Sequence, residues 1–389
     1  MQITGRRIHL AGSANPRTDE SLIRYGHELI DWFVSTLAGR GATFLTGIGR
    51  EPRMRQDDPS SPSILFDWTV LESIHASIQQ GRAQAVGPWG PLVISMATAK
   101  TQEQIPDDRR NLWEELIAVG AMDLRYEEHG WTSGAVRRSQ QARLGDILVA
   151  LGGGEGVEHL AQLYAEAGKP MIMFDLALGA STEDGSGGAT RLAGRALAHP
   201  EQFARFRDPA VAATLLTGTS TRKGQRPVLD VVNGVVELIE NLMPPTAFCV
   251  RLLNPNIEEY SAVEEFFSNV VNPVVREIGF EPIVVDRGVN EYAWMNEAIF
   301  DSLHHSAIAI VDLTGLRNNC FMELGYALGR AQRVLVTVKA GTHPPFDAQM
   351  IEYHSWSESG TVESRRDAWR EHWRRNINRP PIVKPRGVL

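Results

Sequence analysis

Asp312 and Glu323 are the residues whose types and setting most directly suggest chemistry. They stand in the run Ala307-Ile308-Ala309-Ile310-Val311-Asp312-Leu313-Thr314, then Asn318-Asn319, then Phe321-Met322-Glu323-Leu324-Gly325-Tyr326-Ala327-Leu328-Gly329. An apolar run closed by Asp reads as a buried parallel strand. A short polar loop follows, and then a helix is expected to open with Glu323 in its first turn. Ligands in open α/β sheets bind outside the carboxyl ends of strands, so both carboxylates are expected to face one pocket. Two carboxylates around a sugar suit cleavage of a glycosidic bond. One attacks or stabilises the oxocarbenium-like carbon, and the other orients groups or exchanges protons. The structural alternative is that Glu323 answers the helix dipole and Asp312 caps the helix.

The elements that must hold these residues can be read from periodicity. In the first part of the chain, strands are expected at Arg7–Ala11, Ala42–Gly47, Leu92–Ala97, Asp146–Leu151 and Pro170–Asp175. Helices are expected at Ser21–Leu37, Asp67–Gln80, Asp107–Val119, Val157–Ala167 and Val228–Leu242. Such alternation predicts an α/β fold with a doubly wound parallel sheet. Pro244-Pro245 interrupts the pattern. With 389 residues, two domains are the default, so domains are expected at 1–243 and 246–389. The second begins with a strand at Thr246–Leu253. A helix Ser261–Ile278, a strand Pro282–Val285 and a helix Ala293–His304 precede the Asp312 segment. A strand Val334–Val338 and a charged helix Glu363–Arg375 follow it. Two Rossmann- or flavodoxin-like sheets are thus expected.

The segment around Glu323 resembles the nucleoside 2-deoxyribosyltransferase family and its relatives among bacterial TIR-like NAD glycohydrolases. The matching residues are Asp312-Leu313-Thr314, Asn318-Asn319 and Met322-Glu323-Leu324-Gly325-Tyr326-Ala327-Leu328. The resemblance implies that Glu323 attacks the anomeric carbon of an N-glycoside and that Asp312 assists. It also implies a substrate pocket lined by Arg251, Asp286, Asn318, Asn319 and Tyr326. Tyr292 and Trp294 offer faces for base stacking or for core packing.

Glycine-rich turns mark the first domain. One is Gly12-Ser13-Ala14 after the first strand. The other is Gly152-Gly153-Gly154-Glu155-Gly156-Val157 after Ile147–Leu151. Small residues there let backbone amides approach a phosphate at a helix start. The two turns resemble the SLOG superfamily, which includes the Lonely-guy phosphoribohydrolases and nucleotide-sensing domains. The enzymatic branch carries P-G-G-x-G-T-x-x-E. Here Gly152 replaces the Pro, Val157 the Thr and Leu160 the catalytic Glu, while Glu158 and His159 fall out of step. Binding without cleavage is the expectation, with Gly12, Ser13, Ala14, Arg138, Gly153, Gly154, Glu155 and Gly156 around a nucleotide signal. Arg137, Arg138 and Arg143 are either phosphate partners or a solvated helix face. The loop holding Arg50, Arg53 and Arg55 is expected to be mobile or to close over a ligand.

Composition narrows the function classes. A net charge of -8 argues against direct nucleic-acid binding and against adhesion to anionic membranes. No apolar stretch is long enough to span a bilayer, and the N-terminus lacks a signal-peptide pattern. Cys249 and Cys320 are too few for a disulfide framework and have no zinc spacing, so buried thiols in a reducing cytoplasm are expected. His304-His305 ends a helix where a cationic form would be favourable. No metal or cofactor is expected. The reading is a cytoplasmic homo-oligomer whose first domain binds a nucleotide signal. Its second domain is expected to cleave NAD, or else a nucleoside, in antiphage defence. A metabolic deoxyribosyltransferase and a non-catalytic nucleotide-binding protein remain as alternatives.

Overall fold

The computed structural model describes residues 3–58, 60–87, 89–127, 133–179, 184–284 and 295–382. The chain divides into two compact units between Met243 and Pro244. Each is an α/β layer structure around its own all-parallel sheet.

The first unit contains β1 (Arg7–Ser13), β2 (Thr43–Gly47), β3 (Val93–Thr98), β4 (Met122–Glu127), β5 (Ile147–Gly153) and β6 (Met171–Gly179). Their spatial order is β4-β3-β2-β1-β5-β6. The chain therefore winds outward in one direction through β4, then returns to add β5 on the other side of β1. β1 and β5 run in register from Ile8 opposite Ile147 to Ser13 opposite Gly152. β5 is buried along its whole length, as a strand covered on both faces must be.

Helix Glu20–Gly39 begins where Asp19 accepts the Ser21 N–H, a standard N-cap. It buries Ile23, Leu29, Ile30, Phe33, Val34 and Leu37 at helical spacing. Helix Val228–Glu240 joins the same core through Val231, Val232, Val235, Val236 and Ile239. Helices Ala189–Ala198 and Pro209–Thr219 follow β6 and are joined through a short 3-10 turn.

β4 was not evident in the sequence. Its residues alternate Met122, Leu124 and Tyr126 with Asp123, Arg125 and Glu127. An edge strand carries charges that a central strand could not bury.

The second unit contains β7 (Thr246–Val250), β8 (Glu281–Ile283), β9 (Ile308–Asp312), β10 (Arg333–Lys339) and β11 (Tyr353–Trp356). Their order is β8-β7-β9-β10-β11, the flavodoxin-like arrangement. β9 is wholly buried between β7 and β10. The helix expected over 261–278 is interrupted. It runs Tyr260–Phe266, widens into a π turn at Phe267–Val271, and resumes as Asn272–Glu277. Pro273 has no N–H to give and its ring collides with a regular preceding turn, so a wider turn is the physical solution. β11 was also missed. It is a short edge strand whose Trp356 is buried while Ser355 is exposed.

Helix Val362–Asn376 looks charged in sequence, yet it buries Trp369, His372, Trp373 and Asn376. Both cysteines are buried free thiols, and burial pushes each up to about 12. No described helix is long and apolar enough to cross a membrane, and no cluster of metal-ligating side chains occurs among the described residues.

Candidate functional site

A doubly wound sheet opens a crevice where its strand order reverses. In the second unit this point lies between the carboxyl ends of β7 and β9. The loop after β9 is held from below by Asp312. Its side chain is fully buried. Oδ1 accepts the Thr314 N–H at 3.0 Å. Oδ2 accepts the Thr337 hydroxyl at 2.7 Å and the Trp356 indole N–H at 2.9 Å. Burial pushes this carboxyl above its ordinary range, and the hydrogen bonds oppose that shift. Asp312 therefore braces the loop from inside. The Lys339 N–H donates to Thr314 Oγ1 at 2.9 Å, so the loop is fastened to β10 as well.

The loop then turns through Gly315 at φ 76° and Leu316 at φ 49°. Two consecutive positive values that include a bulky residue are unusual, and such backbone strain clusters at functional sites. Helix Asn318–Gly329 starts immediately afterwards. Glu323 is thus in its second turn, not its first as expected. The helix-dipole explanation weakens accordingly, because that effect fades beyond the first turn. Glu323 is half-buried and is pushed up to about 7 by burial alone. Its carboxyl has no hydrogen bond or ion pair among the described residues. A carboxyl near neutrality at a sheet crevice is suited to proton transfer or to nucleophilic attack.

Cys320, one turn earlier, is buried, and burial is the main cause of its raised thiol. Glu323 and Asp312 both push its thiol up, and Arg317 pulls it down. Arg317 is exposed and has no carboxylate partner among the described residues.

The remaining expected pocket residues divide differently. Arg251 follows β7 but pairs with Glu264 at 2.5 Å and lies over the Phe267 ring at 5.0 Å. Its charge is already neutralised. Asn318 and Asn319 are exposed. Arg317 occupies the N-cap with no side-chain capping bond, so neither Asn caps the helix. Tyr326 bonds His304 Nδ1 at 2.6 Å and packs edge-on to Phe300, joining two helices. His304 is lowered by burial first and then by Arg330 and His305, which disfavours the expected cationic form. Asp286, Tyr292 and Trp294 lie outside the described residues.

In the first unit the reversal falls between β1 and β5, where both glycine turns meet. Gly12 is needed for close approach: a Cβ there would overlap the Leu151 carbonyl. The Ala14 N–H is given to Ile64 O at 2.8 Å, and Ser13 pairs across to Leu65. The first turn therefore holds the 63–66 segment, and Ala14 is not an open phosphate donor. Gly188 packs against the carbonyls of Gly152 and Gly153.

Gly154 caps helix Glu155–Glu166 without a side-chain bond. The Val157 and Glu158 N–H groups donate to Gly154 O, whereas those of Glu155 and Gly156 have no acceptor within the helix. Arg138 lies over that end: a Cβ on Gly156 would be 3.7 Å from its Nη1. Arg138 donates Nε–H to His159 Nδ1 at 2.9 Å and has no carboxylate partner among the described residues. Glu158, by contrast, accepts the Gly188 N–H and pairs with Arg191. Glu155 is exposed.

The loop expected to be mobile is pinned. Arg53 lies near Glu51 and Asp108, Arg55 bonds Glu20, Arg50 bonds Gln104, and the Trp68 indole donates to Gly49 O at 3.0 Å.

Two doubly wound parallel sheets place the chain in the α/β class whose ligand sites lie where the strand order reverses. Residues 3–239 match the family described as ATP nucleosidase Cap17-like, N-terminal, and the chain belongs to that family. The ATP nucleosidase Cap17 of Escherichia coli strain KTE188 is 24% identical over 180 residues, covering 46% of this chain and 34% of the relative. An Escherichia coli protein of the same name matches to the same extent. The matched stretch spans about a third of these curated relatives. Among solved structures, a β-glucosidase from Listeria innocua in complex with glucose overlays at TM-score 0.17 and 14% identity, over 84% of this chain and 56% of that one. That value is too low to indicate a common fold.

Proposed function

We propose that this protein is a nucleotide-responsive N-glycosidase. In this reading the second unit cleaves the bond between a ribose C1′ and its base. The observation that carries the reading is Glu323: half-buried, without a partner among the described residues, and pushed up to about 7 at the crevice between β7 and β9. The base nitrogen takes the C1′–N electron pair, Glu323 attacks or stabilises C1′, and water supplies the hydroxyl of the product. Nicotinamide leaves NAD as a neutral molecule, whereas adenine leaves more readily when protonated. Asp312 acts here as a positioning residue, since its oxygens are engaged within the fold. Arg317, not the neutralised Arg251, is the cation available to a phosphate.

NAD and ATP are both candidate substrates. The Glu323 motif resemblance favours NAD, while the name of the relatives favours ATP. The first unit is proposed to bind a nucleotide signal at Arg138, Gly154 and Gly156. Signal binding would favour an active homo-oligomer and deplete the substrate in antiphage defence.

A second reading places cleavage in the first unit, because the family match lies there. Engagement of Glu158 by Gly188 and Arg191 speaks against it. The deciding experiment is product analysis after incubation with NAD, ATP and deoxynucleosides, with and without candidate signalling nucleotides. Wild type and Glu323→Gln are compared throughout. Free base released by wild type alone supports the first reading. Equal release by both proteins refutes it.

A further inference from the structure

We propose that Glu259 is a specificity-determining residue of the second unit's crevice, its carboxylate accepting hydrogen bonds from the 2′- and 3′-hydroxyls of a substrate ribose. The inference rests on cleavage at Glu323 and adds the sugar class. Glu259 ends the loop that leaves β7 and precedes helix Tyr260–Phe266. It therefore comes from the side of the reversal point opposite to Glu323, whose helix follows β9. The loops meet at Gly315, where a Cβ would stand 3.7 Å from Leu252 Cδ2 and 3.9 Å from Glu259 Oε2. The carboxylate thus lies against the strained Gly315-Leu316 turn.

Three other carboxylates of this unit are engaged. Glu264 holds Arg251, Glu358 holds Lys339, and Asp312 is spent on three donors. Glu259 is half-buried; its carboxylate has no hydrogen bond or ion pair among the described residues and does not cap its helix. No neighbouring charge contributes to the raised Glu323 carboxyl. The two groups are therefore not coupled as a proton-sharing dyad. A carboxylate offers only acceptors and a ribose diol offers two donors. The same pairing recognises ribose hydroxyls in dinucleotide-binding folds. A 2′-deoxyribose would leave one acceptor unmatched, and a site built around a substrate hydroxyl can reject the analogue lacking it by about 10⁴-fold.

The test uses the full chain and compares ATP and NAD with their 2′-deoxyribose counterparts. Wild type should prefer the ribose form in kcat/KM by at least about a hundredfold, and Glu259→Ala should compress the ratio below about tenfold. Binding is measured in parallel on Glu323→Gln and on Glu323→Gln/Glu259→Ala, and the ribose preference should weaken in the double variant. Glu259→Gln, which keeps the size of the side chain, serves if the alanine variant does not fold. Absence of ribose preference in wild type overturns the proposal. So does an unchanged preference in a folded Glu259 variant, or binding of none of these compounds. A Glu259-dependent binding preference without cleavage supports this inference while refuting the glycosidase reading.

Discussion

The Trp356 indole on β11 reaches past β10 to Asp312 on β9, donating Nε1–H to Oδ2 at 2.9 Å. Thr337 on the intervening strand donates to the same oxygen. One buried carboxylate therefore ties three adjacent strands beneath the loop that leads to Glu323. Asp312→Asn removes one acceptor and points an NH₂ group at groups that are themselves donors. It should destabilise the protein by about 2 kcal/mol or more, because a buried unmatched donor keeps its full desolvation cost. Denaturant titration should show a larger loss for this variant than for Glu323→Gln. Equal midpoints would contradict the bracing role.

Glu323→Gln is nearly isosteric and should lower glycoside cleavage at least about a hundredfold while the fold is retained. Its far-UV dichroism should match wild type. A folded variant with wild-type turnover would remove Glu323 from the mechanism.

The raised Glu323 carboxyl also fixes two pH trends. If the ionised form attacks C1′, kcat/KM should rise through pH of about 7, and a profile falling through that range would identify a general acid instead. Stability should move the other way. A carboxyl whose folded pKa exceeds its unfolded value binds more protons when folded, so stability falls as pH rises between about 4.5 and 7. Glu323→Gln should therefore raise Tm relative to wild type at pH 8 and have little effect at pH 4.

His354 and His372 lie with ring centroids 5.5 Å apart, and each is lowered to about 4, chiefly by burial. The unfolded chain binds these protons near pH 6.5 and the folded chain does not. Their contribution to stability is present above pH 6.5 and is lost as pH falls towards 4, by on the order of a few kcal/mol between them. His372→Phe should flatten that slope in acid denaturation curves. An unchanged slope would show that other groups control it.

Arg138→Ala should weaken binding of the nucleotide signal without unfolding the first unit. The side chain is partly exposed and donates its Nε–H to His159. Gly12→Ala should instead disrupt folding, because its Cβ would overlap the Leu151 carbonyl. Calorimetry with candidate nucleotides and a thermal melt separate the two outcomes. Wild-type affinity in Arg138→Ala would place the anion elsewhere.

The sequence by itself determined the parallel α/β class, because β5 and β9 are uninterrupted apolar runs and their helices carry a 3.6-residue stripe. It also singled out Glu323 through its local motif, and it marked the glycine turns after β1 and β5. It did not reveal β4 and β11. Edge strands need only half the burial of central ones, so their apolar signal is weak. Partnership was likewise invisible. That Arg251 is neutralised by Glu264, that Asp312 faces inward to Thr337 and Trp356, and that Glu259 lies against Gly315 depend on which loops the strand order brings together. Charge and hydrogen-bonding capacity belong to the residue and can be read from its letter. Whether that capacity is spent inside the fold or left open to a ligand is settled only by the neighbours that tertiary packing supplies.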